Sequence, residues 1–270
     1  RTSAFVRFVF GLVLIAAYAL ATRKSLRPAA PRLVGLRVLT NTLAVVLFFS
    51  GLQITTVTHA NMLNMTYPVF VFAVAPLLNR ESTPGVYYLF LALTLAGIWL
   101  VLSPEEGVGF SGANAGDLLA LGSAVAAAVA ISALREARKY DSSFLILFHL
   151  FFFGSIVSFF VMLPGFRMPP LHGLGPLAGV AVCAFAGQLT LTVGYRYISA
   201  AGGAIVSAAR IVFAALLGTL IFADPIGWKT VVGGAFILIS LVGVSGVLQR
   251  YLRNPGVNRE AGGRRSSLSQ

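Results

Sequence analysis

Charge is scarce in this sequence, and negative charge scarcest: eight Asp and Glu stand against twenty Lys and Arg in 270 residues, and charged residues make up only 10% of the chain. A water-exposed domain needs about 25% charged residues to cover its surface. A soluble globular protein is therefore excluded. Cysteine is nearly missing too. The single Cys183 rules out a disulfide framework or a cysteine metal site, and its place inside an apolar run predicts a small core residue. Also missing is the alternating ten-residue pattern of barrel strands, so the membrane class that remains is helical. The first residue is Arg1 and no charged-apolar-cleavage pattern precedes the first apolar run, which reads as a truncated start.

What is present is long apolar runs, at 57% hydrophobic residues and a mean hydropathy of +0.87. They fall at 5–22, 34–53, 60–78, 85–102, 117–134, 144–163, 174–193, 202–222 and 227–248. Each is close to the ~20 residues that cross ~30 Å of hydrocarbon as a helix. Nine spans are predicted. The net charge of +12 is distributed by topology. Arg23, Lys24, Arg27, Arg32 and Arg37, then Arg80, then Arg135, Arg138 and Lys139, then Arg196, then Arg250, Arg253, Arg259, Arg264 and Arg265 fall in alternate loops. The positive-inside rule makes those loops cytoplasmic, and with them the C-terminus. Attraction to anionic lipid is a secondary consequence, and nucleic acid is not an expected partner.

The chain repeats itself. A shift of 143 residues pairs Gly51 with Gly194, Val69 with Val212, Phe70 with Phe213, Leu77 with Leu220, Glu81 with Asp224 and Ala92 with Ala235 without a gap. Four runs superimpose on four others, which leaves 117–134 with a counterpart ahead of residue 1. A tenth helix is thus expected there, giving two five-helix repeats. Five is odd, so the second enters the bilayer from the opposite face, the inverted arrangement of many secondary transporters with a midplane substrate site. The expected fold is an all-α polytopic membrane protein: a first repeat over 1–103, a junction loop at 104–116, a second repeat over 117–248 and a disordered basic tail at 249–270. Glu81 and Asp224 end equivalent helices, where each can cap the next helix or balance a basic neighbour. The small residues of 118–134 and Gly179, Gly187 and Gly194 are read as close-packing positions between helices.

Two stretches carry a family likeness. "LRVLTNTLAVVLFFSGLQITTVTHANMLNMTYPVFVFAVAPLLNRES" has an apolar helix, a turn, a helix bearing Pro68 and a closing Glu81; "GQLTLTVGYRYISAAGGAIVSAARIVFAALLGTLIFAD" closes on Asp224. Over about residues 3–248 the chain resembles EamA-type transporters of the drug/metabolite transporter superfamily. Arg7 in "FVRFVFG" matches a common feature of that family. Ile211, where the first copy has Pro68, and Arg210, where many relatives have a small or aromatic residue, depart from it. The resemblance implies a membrane transporter working by alternating access.

Polar groups inside spans cost free energy unless partnered, which makes them the site candidates. Arg210 lies mid-span with Tyr67 as its repeat counterpart; both can line one cavity, or Arg210 can bond backbone carbonyls or snorkel. Arg7 can add a second positive charge or snorkel outward. Asn64, Asn41, Gln188 and Ser207 are candidates for orienting a substrate, and interhelical hydrogen bonds account for them equally well. His149 is the candidate for proton coupling; His59 and His172 are expected at solvated edges. No carboxylate sits at mid-bilayer, so a cavity with Arg favours a carboxylate, phosphate or zwitterion over a cationic drug. No metal or cofactor is expected. The expected partners are a small-molecule substrate and the lipid bilayer, homodimerisation staying open; short loops and low cysteine point to a bacterial inner membrane.

A rival reading comes from "GFSGANAG" (109–116), which has the GxSG look of an intramembrane serine protease with Ser111 as nucleophile. That chemistry needs a histidine placed to take the serine proton. His149 precedes "LFFF" and His172 lies in a Pro-rich loop, and a protease gives no reason for the repeat.

Overall fold

The computed structural model describes residues 2–23, 25–102, 114–163, 171–222 and 227–253. All regular structure there is helical: α1 Thr2–Thr22, α2 Pro31–Gly51, α3 Val57–Asn64, α4 Tyr67–Asn79, α5 Val86–Leu102, α6 Ala115–Ala137, α7 Ser143–Met162, α8 Leu171–Gly194, α9 Ala200–Ser207, α10 Ala209–Phe222 and α11 Trp228–Arg253. Among the described residues eight segments are long and apolar enough to cross a membrane, and α5 is a shorter apolar helix. Two boundaries differ from the sequence reading. Asn114 to Gly116 already cap and begin α6, and residues 249–253, assigned to the tail, continue α11. Residues 104–113, with Ser111, and 254–270 lie outside the described residues, as does Asp224.

The larger correction concerns runs 60–78 and 202–222, expected as single helices. Each is broken near its middle, into α3 and α4 and into α9 and α10. Pro68 accounts for the first break, because its ring and missing N–H cannot continue the ladder of α3. Thr66 Oγ1 donates to Leu63 O at 2.6 Å and closes the turn. The second break has no proline; Ala208 N donates to Ile205 O and Ile211 N to Ala208 O, each at 3.0 Å, a tighter i→i+3 turn of one residue. The bounds of α3 and α9 are related by the same 143-residue shift that relates the sequences.

The chain forms two compact units, Arg1–Thr83 with Leu102–Ala204, and Pro84–Val101 with Ile205–Gln270. In the first, α6 is the axis. Ala120, Ala124, Ala128, Ala130, Ala133 and Ala137 are buried along it, so α2, α3 and α4 pack at short range. The stripe of α4 that turns inward is Tyr67, Pro68, Val71, Phe72, Ala75 and Asn79, a helical period. At the second contact of this unit, α1 against α7, Phe8 covers Gly154 and Phe151 covers Gly11, the two rings meeting edge-on with centroids 6.3 Å apart.

Helix starts are held partly from a distance. Ala30 offers α2 no side-chain cap; Asp141 instead anchors the approach to the helix, accepting from Ala29 N at 2.7 Å and Ala30 N at 3.0 Å. Asn114 and Asp117 form a reciprocal capping box on α6. Asp141→Ala strips two N–H groups of their acceptor and should cost about 1–2 kcal/mol, read as a lower melting temperature in detergent.

Gly179, Gly187 and Gly194 do not serve close packing, since a Cβ on any of them meets nothing within 4 Å among the described residues. The close approaches are elsewhere. In the second unit a Cβ on Gly97 would lie 2.6 Å from Gly233 O, and one on Gly233 2.6 Å from Gly97 O. Backbone cannot yield as a side chain can. Gly97→Ala should therefore destabilise by about 1–3 kcal/mol, while Gly85→Ala, with open space around it, should melt like the parent.

Candidate functional site

The breaks set the geometry. A helix that stops and restarts inside the bilayer leaves backbone N–H and C=O groups without intrahelical partners, and the restarted half presents its positive end there. Tyr67 and Pro68 begin α4 within the His59–Asn79 span, and Arg210 is the second residue of α10, halfway along the 22-residue Ala200–Ile221 span.

The candidate residues are distributed as follows. In the first unit Tyr67 is 4% exposed and its phenol donates to Ala204 O at 3.2 Å, tying α4 to α9. Asn64 spends its amide on Ser123 Oγ at 2.8 Å, a bond that holds α3 to α6. Arg7 is half-buried on α1 with its guanidinium 5.2 Å from the ring centre of Phe8. Asn41 is half-buried on α2, and Gln188 on α8 has Oε1 buried with no hydrogen-bond partner among the described residues. His149 is half-buried on α7, its Nδ1 3.0 Å from Leu145 O one turn back. In the second unit Ser207 is half-buried and Arg210 exposed. Three expectations are corrected. Cys183 is exposed on α8 instead of filling a core, because the face it occupies is not covered within its unit. His59 is only 9% exposed, drawn in because α3 starts at Val57 and packs on α6. Arg37, counted with the loop cations, is in α2 and 2% exposed.

Polar chemistry concentrates where α4, α6, α8 and α9 end together. Arg80, in the left-handed region at φ 53°, terminates α4 and turns the chain toward Glu81. Glu81 Oε1 then accepts from Arg135 Nε at 2.7 Å, and Oε2 from Ala200 N at 3.1 Å, so one carboxylate caps α9 and pairs with α6. Arg135 Nη1 donates onward to Tyr195 O and Arg196 O, at 3.1 and 3.0 Å, capping the end of α8. Arg138 adds Nε to Thr192 O at 3.0 Å and Nη1 to Asp141 O. Burial, seconded by Arg196, lowers the pKa of Arg138 from the usual guanidinium value, while Tyr197 and Asp141 oppose the shift. Asn79 Nδ2 donates to Ser132 O at 2.9 Å and reaches Glu136 at 3.4 Å.

Sequence reasoning missed Arg37 and most of this network. A signal for Arg37 existed: it falls inside the apolar run 34–53, and Pro31 at the helix start places it in the second turn. Asp141, Arg135 and Arg138 gave none for the contacts that join helices, because those partners lie 54 to 112 residues away in the chain. Tyr67→Phe removes one buried hydrogen bond and should cost about 1 kcal/mol in detergent melts.

A bundle of apolar helices, two of them broken at mid-span around polar side chains, defines an integral membrane protein built to handle a solute. The chain belongs to the EamA-like transporter family, which matches residues 1–103 and 114–246. It is similar to the pseudopaline exporter CntI of Pseudomonas aeruginosa, at 26% identity over 75% of this chain and 71% of that protein. An uncharacterized transporter of Archaeoglobus fulgidus is 28% identical over 88% of this chain and 84% of its own. Human solute carrier family 35 member G1 is 27% identical over 75% of this chain and 59% of its own. A solved crystal structure shares the fold with a TM-score of 0.78 at 21% identity, covering 93% of this chain and 88% of the other. Family and relatives make the protein a membrane transporter.

Proposed function

We propose that this transporter carries a small metabolite bearing a carboxylate, a phosphate or a zwitterionic group, by alternating access to a site near the bilayer midplane. The observation that supports it is Arg210 beside the restart of α10, halfway through a span, in a chain whose described carboxylates all stand at helix ends: Glu81, Asp117, Glu136 and Asp141. A cation and a helix N-terminus both attract anions, and none of the described acids stands in the middle of a span. The shared spacing of the two broken helices supports an inverted repeat as the machinery. Tyr67, Arg7 and the uncharged polar residues orient the solute, His149 is the residue available for proton coupling, and the C-terminus faces the cytoplasm of a bacterial inner membrane.

The test is a thermal-shift screen of the purified full chain against anionic, zwitterionic and cationic metabolites, followed by counterflow in liposomes with each ligand that stabilises. A solute that binds the folded state raises its melting temperature by mass action. Stabilisation by carboxylates or phosphates supports the reading; stabilisation by cations alone overturns the charge assignment and leaves the transporter.

A further inference from the structure

Arg37 is the charged group that the proposed site does not use. It sits in the second turn of α2, 2% exposed, with Nε buried and without a hydrogen-bond partner among the described residues. A guanidinium at such a place ordinarily has a carboxylate, helix carbonyls or water to balance it. Each protein candidate at this end of the unit is committed elsewhere. Glu81 is held by Arg135 and Ala200 N. Glu136 is held by Lys139 at 2.6 Å, and Asp141 by the two N–H groups ahead of α2. The carbonyls that close α8 and follow it, Thr192 O, Tyr195 O and Arg196 O, are taken by Arg138 and Arg135. The group that interacts with Arg37 electrostatically is the phenol of Tyr195, itself 3% exposed and packed on Gly203 of α9. Among the described residues, each of these carboxylates and carbonyls has a cation or a donor of its own, and none of them is given to Arg37.

We propose that Arg37 is a second anion subsite, which receives the carboxylate or phosphate of the transported solute when the α2–α8–α9 end of its unit opens. The proposal rests on the anion-carrier reading and adds a residue to it. A charge without a counter-ion costs stability, so removing it should not harm the resting protein; a charge that holds the fold together should do the opposite.

The experiment uses the full chain in detergent, melted with and without inorganic phosphate and succinate at constant ionic strength, as wild type, Arg37→Gln and Arg37→Lys. A separate arm adds phosphatidylglycerol. The expected result is that Arg37→Gln melts no lower than wild type without ligand and loses the anion-induced rise, with apparent affinity at least tenfold weaker. Arg37→Lys should keep the charge but lose the fork, and bind several-fold more weakly. An Arg37→Gln protein that responds to phosphate and succinate like wild type overturns the proposal and leaves the anion carrier with Arg210. If Arg37→Gln fails to fold, unchanged affinity in Arg37→Lys overturns it equally. A response to phosphatidylglycerol alone, dependent on Arg37, assigns the charge to a lipid headgroup and overturns the solute assignment. A wild type that no anion stabilises overturns this proposal and the carrier reading together.

Discussion

Arg210→Glu is expected to abolish the stabilisation of the transporter by anionic solutes while leaving the protein folded. The two halves of that expectation have separate physical origins. Arg210 is exposed and is the second residue of α10, where a carboxylate is favoured by the helix dipole, so the substitution should not weaken the helix. The same carboxylate repels an incoming anion. Truncation to Ala removes a charge-assisted hydrogen bond of about 1.5–3 kcal/mol, which lowers affinity roughly ten- to hundredfold. Reversal adds repulsion and should exceed a hundredfold, below detection for a millimolar ligand. Arg210→Lys should retain part of the binding, since a point charge replaces a bidentate fork. Melting curves over a ligand titration give all three values together with the ligand-free stability. Equal affinities across the series would remove Arg210 from the site, and a cation response gained by Arg210→Glu would strengthen its place there.

The helices were legible in the sequence because the bilayer imposes a length and a composition, and neither depends on the neighbours. The breaks inside two spans were not. Pro68 was visible, but its counterpart Ile211 continues an apolar run, and backbone bonds close the second turn. Charge was legible in kind but not in depth. Arg37 and Arg32 are five residues apart at one end of α2, and the sequence groups them together; the packed unit buries the first and leaves the second outside. Glycine was misleading in the same way. Gly97 and Gly187 look alike in an apolar run, and only the opposing backbone of Gly233 tells them apart. Local pattern states which residues need a partner; the partner itself is a property of the fold.

Glu81→Ala should be the most destabilising of the polar substitutions. The carboxylate closes three elements at once: it pairs with Arg135 of α6, takes Ala200 N at the start of α9, and through Arg135 steadies the carbonyls that follow α8. Both side chains of the pair are about one-fifth exposed, 20% for Arg135 and 19% for Glu81. Loss of one partner from a fully buried pair costs about 3–5 kcal/mol because the other charge is stranded. Partial exposure lets water repay some of that, and about 2–3 kcal/mol is expected here. Lys139 and Glu136 supply the contrast. They lie three residues apart, Glu136 in the last turn of α6 and Lys139 in the turn that follows it, and Lys139 is 37% exposed, so Lys139→Ala should cost no more than about 0.5 kcal/mol. Arg135→Met in the Glu81→Ala background separates pairing from capping: a coupling of about 1–2 kcal/mol in the double-mutant cycle belongs to the ion pair, and the remainder to Ala200 N and the carbonyls after α8. If Glu81→Ala and Lys139→Ala lower the melting temperature equally, the carboxylate is a surface charge and α9 is held by its other contacts, the Tyr67–Ala204 bond among them.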